Sequence, residues 1–206
     1  MGFNRPLPPE GRALLPRVST PPIRTFGANF SPCRTWRYKL SRRWSPAGPM
    51  IAFVGLNPST ADEVNDDPTV RRCIGFARRW GFGGMYMLNV FAYRSTNPRE
   101  LRTAADPVGP RNDGTLTKIC RLCDMVVACW GVWGWLFDRD QAVVELLGGI
   151  PIHCLGITSD GHPKHPLYLR STTVPVQLVL SGDWIGSDVI GQKLLPRVRH
   201  SRELAT

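Results

Sequence analysis

The sequence predicts an α/β protein, a three-layer α/β/α sandwich around a central, mainly parallel sheet of four strands. Three observations predict it. Four short apolar runs, at residues 50–54, 85–90, 125–130 and 151–156, have the length and continuity of strands buried on both faces. Segments of helical period lie between them, and strands alternating with helices argue for a parallel sheet. Polar residues collect just after the strands, and in a parallel sheet those ends converge on one rim, the usual place for a ligand.

In chain order, residues 1–30 are rich in Pro, Gly and Arg without periodicity and read as a flexible basic arm. A single domain is expected over residues 31–185, and a loose basic tail over 186–206. Residues 36–44 alternate bulky and basic side chains, as an edge strand with one buried face would. The first core strand (50–54) runs into Gly55-Leu56-Asn57-Pro58-Ser59. There Gly55 permits a close backbone approach and Pro58 stiffens the exit. Residues 68–80 form an amphipathic helix with Val70, Cys73, Ile74 and Ala77 on one face, and the glycines at 81–84 stop it. The second core strand (85–90) leads through a polar loop to a short helix near 99–104 and another over 109–122. The third strand (125–130) closes at Gly131, and a helix over 133–147 ends at Gly148-Gly149. The fourth strand (151–156) is followed by a His- and Pro-containing loop and a last edge strand over 174–180. No internal repeat is visible.

Charge narrows the partners. The chain carries 26 Lys plus Arg against 16 Asp plus Glu, a net +10, and Arg far outnumbers Lys. Arg makes bidentate contacts to phosphate and stacks on bases, so nucleic acid, DNA before RNA, is the expected partner. A solubility charge with a basic tail is the plainer explanation of the same number. No apolar run reaches 18 residues, and no apolar core of the signal-peptide kind stands near the N-terminus. A cytoplasmic monomer with no membrane partner is therefore expected. The six cysteines stand at 33, 73, 120, 123, 129 and 154, several in apolar surroundings that suit reduced thiols. Cys120 and Cys123 form the only CxxC, without a second pair or a His at ligand spacing, so no metal and no cofactor are expected.

The rim residues are the candidates for chemistry. Asn57 ends the first strand, and Ser59, Asp66 and Asp67 follow it. Asn89 lies in the second strand, with Tyr93 and Arg94 beyond. The fourth strand leads to His162, Lys164 and His165. Asn57 before a proline serves equally as a turn residue. Asn89 inside an apolar strand is harder to explain structurally, because a buried amide needs partners. One of Asp66 and Asp67 is expected to cap the helix from residue 68. Histidines in a Pro-bracketed loop are seldom core residues. The tryptophans at 130, 133 and 135 read mostly as packing.

Two resemblances meet at these residues. The span from Gly55-Leu-Asn-Pro-Ser-Thr-Ala-Asp through Asp66-Asp-Pro-Thr-Val-Arg-Arg-Cys to Asn89-Val-Phe-Ala-Tyr-Arg, with the later Gly-His-Pro-Lys-His-Pro-Leu-Tyr, resembles a bacterial and phage family known only as domain of unknown function 1643. That likeness covers about residues 35–180 and brings no activity with it. More distantly, the chain resembles the uracil-DNA glycosylase superfamily, whose mismatch-specific branch carries Gly-Ile-Asn-Pro-Gly after its first core strand. Gly55-Leu56-Asn57-Pro58-Ser59 stands in that place. The resemblance implies a uracil-DNA glycosylase-like fold, with Asn57 positioning the water that attacks the sugar and Asn89 reading a flipped base. It also implies that His165-Pro166-Leu167 stabilises the departing base, with His162-Pro163 as a competing register. Ser59 replaces the second glycine of the motif, and the cysteine spacings do not reproduce the iron–sulfur site that some members hold.

Glycosidic cleavage needs a positioned water, hydrogen bonds or positive charge at the leaving base, and extraction of that base from its stack. Asn57 and His165 are the catalytic candidates, with Asp66 or Asp67 as a source of a carboxylate. Gly55, Leu56, Pro58, Ser59, Asn89, Tyr93, His162 and Lys164 are candidates to line the substrate. Arg71, Arg72, Arg94 and Arg99 are candidates for phosphate contacts. The expected activity is a DNA glycosylase acting on a modified or non-standard base. The alternatives are an enzyme of free nucleosides or nucleotides and a module that binds a modified base without cutting.

Overall fold

The computed structural model describes residues 25–178. The first 24 residues of the expected arm, the expected tail and the end of the last expected strand lie outside that range.

The described residues form an α/β fold with a mixed sheet of seven strands in the order β1-β2-β4-β3-β5-β6-β7. The strands are β1 (Thr25–Phe30), β2 (Arg37–Arg43), β3 (Met50–Gly55), β4 (Gly84–Asn89), β5 (Met125–Ala128), β6 (Ile152–Cys154) and β7 (Val176–Gln177). The helices are α1 (Pro68–Arg79), α2 (Asn112–Cys120) and α3 (Arg139–Leu146). The four central strands, β4, β3, β5 and β6, are mutually parallel. The sheet is larger than the four strands expected, and mixed, because β1 and β2 add antiparallel to β4 and β7 adds antiparallel to β6.

Two of these additions correct the sequence reading. The arm was expected to continue to residue 30, yet Thr25–Phe30 is a strand. It carries no continuous apolar run to announce it. The strand over residues 36–44 is not an edge, because β1 covers its outer side. Its alternation comes from Tyr38, Leu40 and Arg42, of which Arg42 is fully buried.

All six residues of β3 are buried, as a central strand with helices on both faces requires. The α1 stripe of Val70, Cys73, Phe76 and Ala77 packs with Ile51, Phe53, Met85 and Met87 on one face of the sheet. Asp67 caps this helix by accepting from the Val70 amide at 2.8 Å, with Pro68 in the first turn. On the other face, Leu116 and Ile119 of α2 and Val143 of α3 pack with Ala52, Val54, Leu88 and Val126. The helix expected over 133–147 is interrupted. A 3-10 segment, Val132–Asp138, precedes α3, and Phe137 and Asp138 adopt positive φ of 57° and 53°. That break leaves Trp135 and Phe137 exposed, so Trp135 is not the packing residue expected, whereas Trp130 is buried at 3%.

Candidate functional site

The topology selects one crevice. The chain leaves the C-terminal end of β3 toward β4 and the C-terminal end of β5 toward β6, so the connections diverge between these neighbours. Ligands bind at such switch points in open α/β sheets. The turn carrying Asn57 follows β3, and Gly131 follows β5. Asn89 ends β4, the strand on the other side of β3. Strands lie about 4.8 Å apart, so three adjacent strand ends span roughly 10 Å, the width of a small-ligand pocket.

Asn57 is held as much as it is presented. Its Nδ2 donates to the carbonyls of Ser95 at 2.8 Å and Pro58 at 3.2 Å, and Ser95 N donates back to Pro58 O at 2.9 Å. These bonds fix the amide plane and leave Oδ1, an acceptor, uncommitted. Leu56 and Pro58 form the turn, in which Leu56 O accepts from the Phe91 amide at 2.9 Å.

Asn89 is the most unusual side chain of the rim. It is 1% exposed, and among the described residues no group hydrogen-bonds either its Nδ2 or its Oδ1. Leaving a buried amide unpaired costs about 1–3 kcal/mol, so such a residue calls for a reason. Gly55 faces it across the β3–β4 ladder, and a Cβ on Gly55 would stand 3.2 Å from Asn89 Oδ1. The glycine thus leaves the amide its space. The backbone around Asn89 is pinned. Asn112 Nδ2 donates to the carbonyls of Asn89 and Val90 at 3.0 and 3.1 Å, and Arg139 Nε donates to Val90 O at 2.8 Å while its guanidinium pairs with Asp113. Asn112 and Arg139, both buried, were not foreseen. They open α2 and α3 without any pattern that distinguishes them from ordinary surface polar residues.

The His-Pro loop folds over the end of β5. Gly131 N donates to Pro163 O at 2.9 Å, and Lys164 N donates to Gly156 O at 2.9 Å. Gly131 has a φ of 71°, and a Cβ there would approach the His165 Cβ to 4.0 Å. His165 caps the 3-10 turn Pro166–Tyr168, its Nδ1 accepting from Leu167 N at 3.4 Å. The neutral ring then carries its proton on Nε2. Burial lowers the His165 pKa below its usual 6.5, against the opposing field of Asp67, so the ring is neutral at pH 7 and can still donate. The competing His162 stands with Nδ1 3.8 Å from the Asp140 carboxylate, itself buried at 3%. His165 stands beside Gly131 at the end of β5, and His162 beside the start of α3, so both registers stay near the strand ends.

A pH consequence follows. Because folding depresses the His165 pKa, the unfolded chain binds more protons as pH falls through 6.5, and stability drops. Thermal unfolding is expected to show a loss of stability as pH falls below 6.5 that His165→Gln reduces. An identical pH profile in that variant would refute the buried-neutral assignment.

The two carboxylates after the Asn57 turn are engaged by other groups. Asp67 is spent on the α1 cap. Asp66 pairs with the fully buried Arg42 at 2.8 Å, and Arg42 lies opposite Met85, four residues before Asn89 and about 13 Å along the strand. Both carboxylates thus carry bonds that serve the fold. Tyr93 forms a bridge with Trp36. Lys164 is exposed. Arg71 donates to the Asp66 carbonyl, and Arg72 lies 5.1 Å from the Phe76 ring centroid. Arg99 is exposed, in a 3-10 turn capped by Asn97. Arg94 lies apart from these, and with Ser59 and Tyr93 it lines a cavity of about 530 Å³.

Among the described residues no cluster of three or more His, Cys, Asp or Glu could hold a metal ion. Burial raises the Cys120 and Cys123 thiols to about 12, which makes them inert. No described helix is long and apolar enough to cross a membrane.

The fold defines an α/β domain whose candidate site residues gather at the switch point of its sheet. Residues 37–167 match the family described as Protein of unknown function (DUF1643), and the chain belongs to that family. No curated protein and no solved structure matches it.

Proposed function

We propose that the chain is a glycosylase-like enzyme that takes a flipped, modified or non-standard base from DNA into the crevice and hydrolyses its glycosidic bond. The observation that carries this reading is the buried Asn89 amide, both ends unpaired among the described residues. An amide offers one donor and one acceptor face, the complement of a pyrimidine edge. Asn57 Oδ1 orients the water, and His165 Nε2–H donates to the oxygen of the leaving base. The C1′–N bond breaks with its electron pair on the base, the water oxygen bonds to C1′, and the proton it sheds passes to the base or to solvent. The parallel core in the order β4-β3-β5-β6, with helices on both faces, agrees with a uracil-DNA glycosylase-like arrangement.

One observation favours a second reading, a module that binds a modified base without cutting: Asp66 and Asp67 are committed elsewhere. The test is incubation with oligonucleotides carrying a panel of modified bases, followed by mass detection of free base. A released base that disappears in Asn57→Ala, with binding retained, is expected. Binding that depends on Asn89 but releases no base from any substrate would leave only the second reading.

A further inference from the structure

A cavity of about 530 Å³ lies beside the Asn57 turn. The turn that carries Asn57 walls it through Ser59 and Thr60, and the loop held by the Asn57 amide walls it through Arg94 and Thr96. The turn before β2 closes it with Cys33 and Arg34, the latter at a φ of 59°.

Its two arginines differ. Arg34 is committed, pairing with both oxygens of Glu63 at 2.9 and 3.1 Å. Arg94 has no acidic partner among the described residues. Its guanidinium stands 4.9 Å from the Phe30 ring centroid, Nη1 donates to Arg34 O at 3.2 Å, and its buried Nε has no partner. The head group is therefore held in place with donors to spare. Thr35, Ser59, Thr60 and Thr96, each carrying a hydroxyl, line the same space. Opposing charge is present too. Glu100 lines the cavity and accepts from Ser95 Oγ at 2.8 Å, and Cys33 is an exposed thiol. One uncommitted cation among hydroxyls, with a carboxylate nearby, suits a single negative charge and disfavours a dianion.

We infer that this cavity binds a phosphodiester, with Arg94 as its cation and the surrounding hydroxyls as donors, and that it seats the backbone of the strand whose base enters the crevice. Only the last clause rests on the glycosylase-like reading. Phosphate contacts fix register without reading sequence, and a seat sharing its wall with Asn57 ties backbone position to the attacking group.

Cys33 makes the seat measurable. Hydrogen bonds from Ser31 and Thr35 lower its thiol to about 7, and it is the one exposed cysteine of the six. A bound anion raises that pKa and covers the sulfur, and both effects slow alkylation. The probe is a sugar–phosphate oligomer without bases, titrated into the full chain while iodoacetamide labelling of Cys33 is followed at pH 7.

Saturation is expected to slow labelling severalfold, at concentrations where inorganic phosphate has no effect. Arg94→Gln should weaken oligomer binding about five- to tenfold and lower the slope of log affinity against log salt by about one, whereas Arg94→Lys should keep the slope. Asn89→Leu should leave all of this unchanged, which separates the seat from the base pocket. Protection by inorganic phosphate alone would overturn the diester assignment. Unchanged Cys33 labelling under saturating oligomer, or an unchanged salt slope in Arg94→Gln, would overturn the seat itself.

Discussion

Asn89→Leu is expected to stabilise the chain while abolishing base binding. Leucine has the branched outline of asparagine but no polar atoms. The substitution removes a buried amide whose Nδ2 and Oδ1 meet no partner among the described residues, and the relieved desolvation is about 1–3 kcal/mol. Some of that gain is lost to crowding, because Gly55 stands close to the side chain. A net gain of about 1–2 kcal/mol would raise the melting temperature by roughly 2–6 °C in a domain of this size. The same change removes every polar contact the residue can offer a base. Thermal unfolding and titration with oligonucleotides check the two halves separately. A variant less stable than the parent would mean that the amide serves the fold, and the argument for a base pocket would lose its foundation.

The second large effect concerns Asp66. Its carboxylate is the counter-ion of Arg42, whose side chain is 0% exposed. Removing one partner of a buried pair leaves an uncompensated charge and costs about 3–5 kcal/mol. Arg42 keeps its bonds to the carbonyls of Ser41, Asp62 and Asn65, so Asp66→Ala should fall near the lower bound, about 3 kcal/mol. Replacing both partners with apolar residues should restore most of that stability. Urea denaturation measures each variant. Because Asp66 faces Arg42 rather than Asn57, the folded fraction of Asp66→Ala should retain its base binding. A folded Asp66→Ala that cannot bind would return this carboxylate to the site.

These two residues mark what the sequence made legible. The central strands were readable because each is an apolar run with no competing period, and α1 because Asp67, Pro68 and its stripe all agree. Asn89 stood out because an amide inside such a run has no ordinary explanation. Asp66 and Asp67 were indistinguishable as neighbours in sequence. Only the helix start and the position of Arg42 assign one to a cap and the other to a buried pair. The outer strands were hard to see for the same reason that β2 was taken for an edge. It buries Arg37 and Arg42, which a binary pattern counts as solvent-facing. The exposed Trp135 and Phe137 depend on two residues of positive φ that no glycine announces.

The buried arginines of β2 have a kinetic consequence. Arg37 donates to Ala61 O at 2.9 Å, and Arg42 reaches the Asp62 and Asn65 carbonyls at 2.8 and 3.3 Å. Burial lowers the Arg37 pKa to about 10 yet leaves it charged at neutral pH. Three carbonyls of the segment from Ala61 to Asp66 are therefore satisfied by a hairpin distant in sequence. Those bonds form only once the hairpin docks, and they are lost when it leaves. Native-state amide exchange should find β1, β2 and this segment opening as one cooperative unit, below the free energy of global unfolding. The Asn57 turn lies directly before that segment, so the hairpin's lifetime on the sheet sets how long the turn stays assembled.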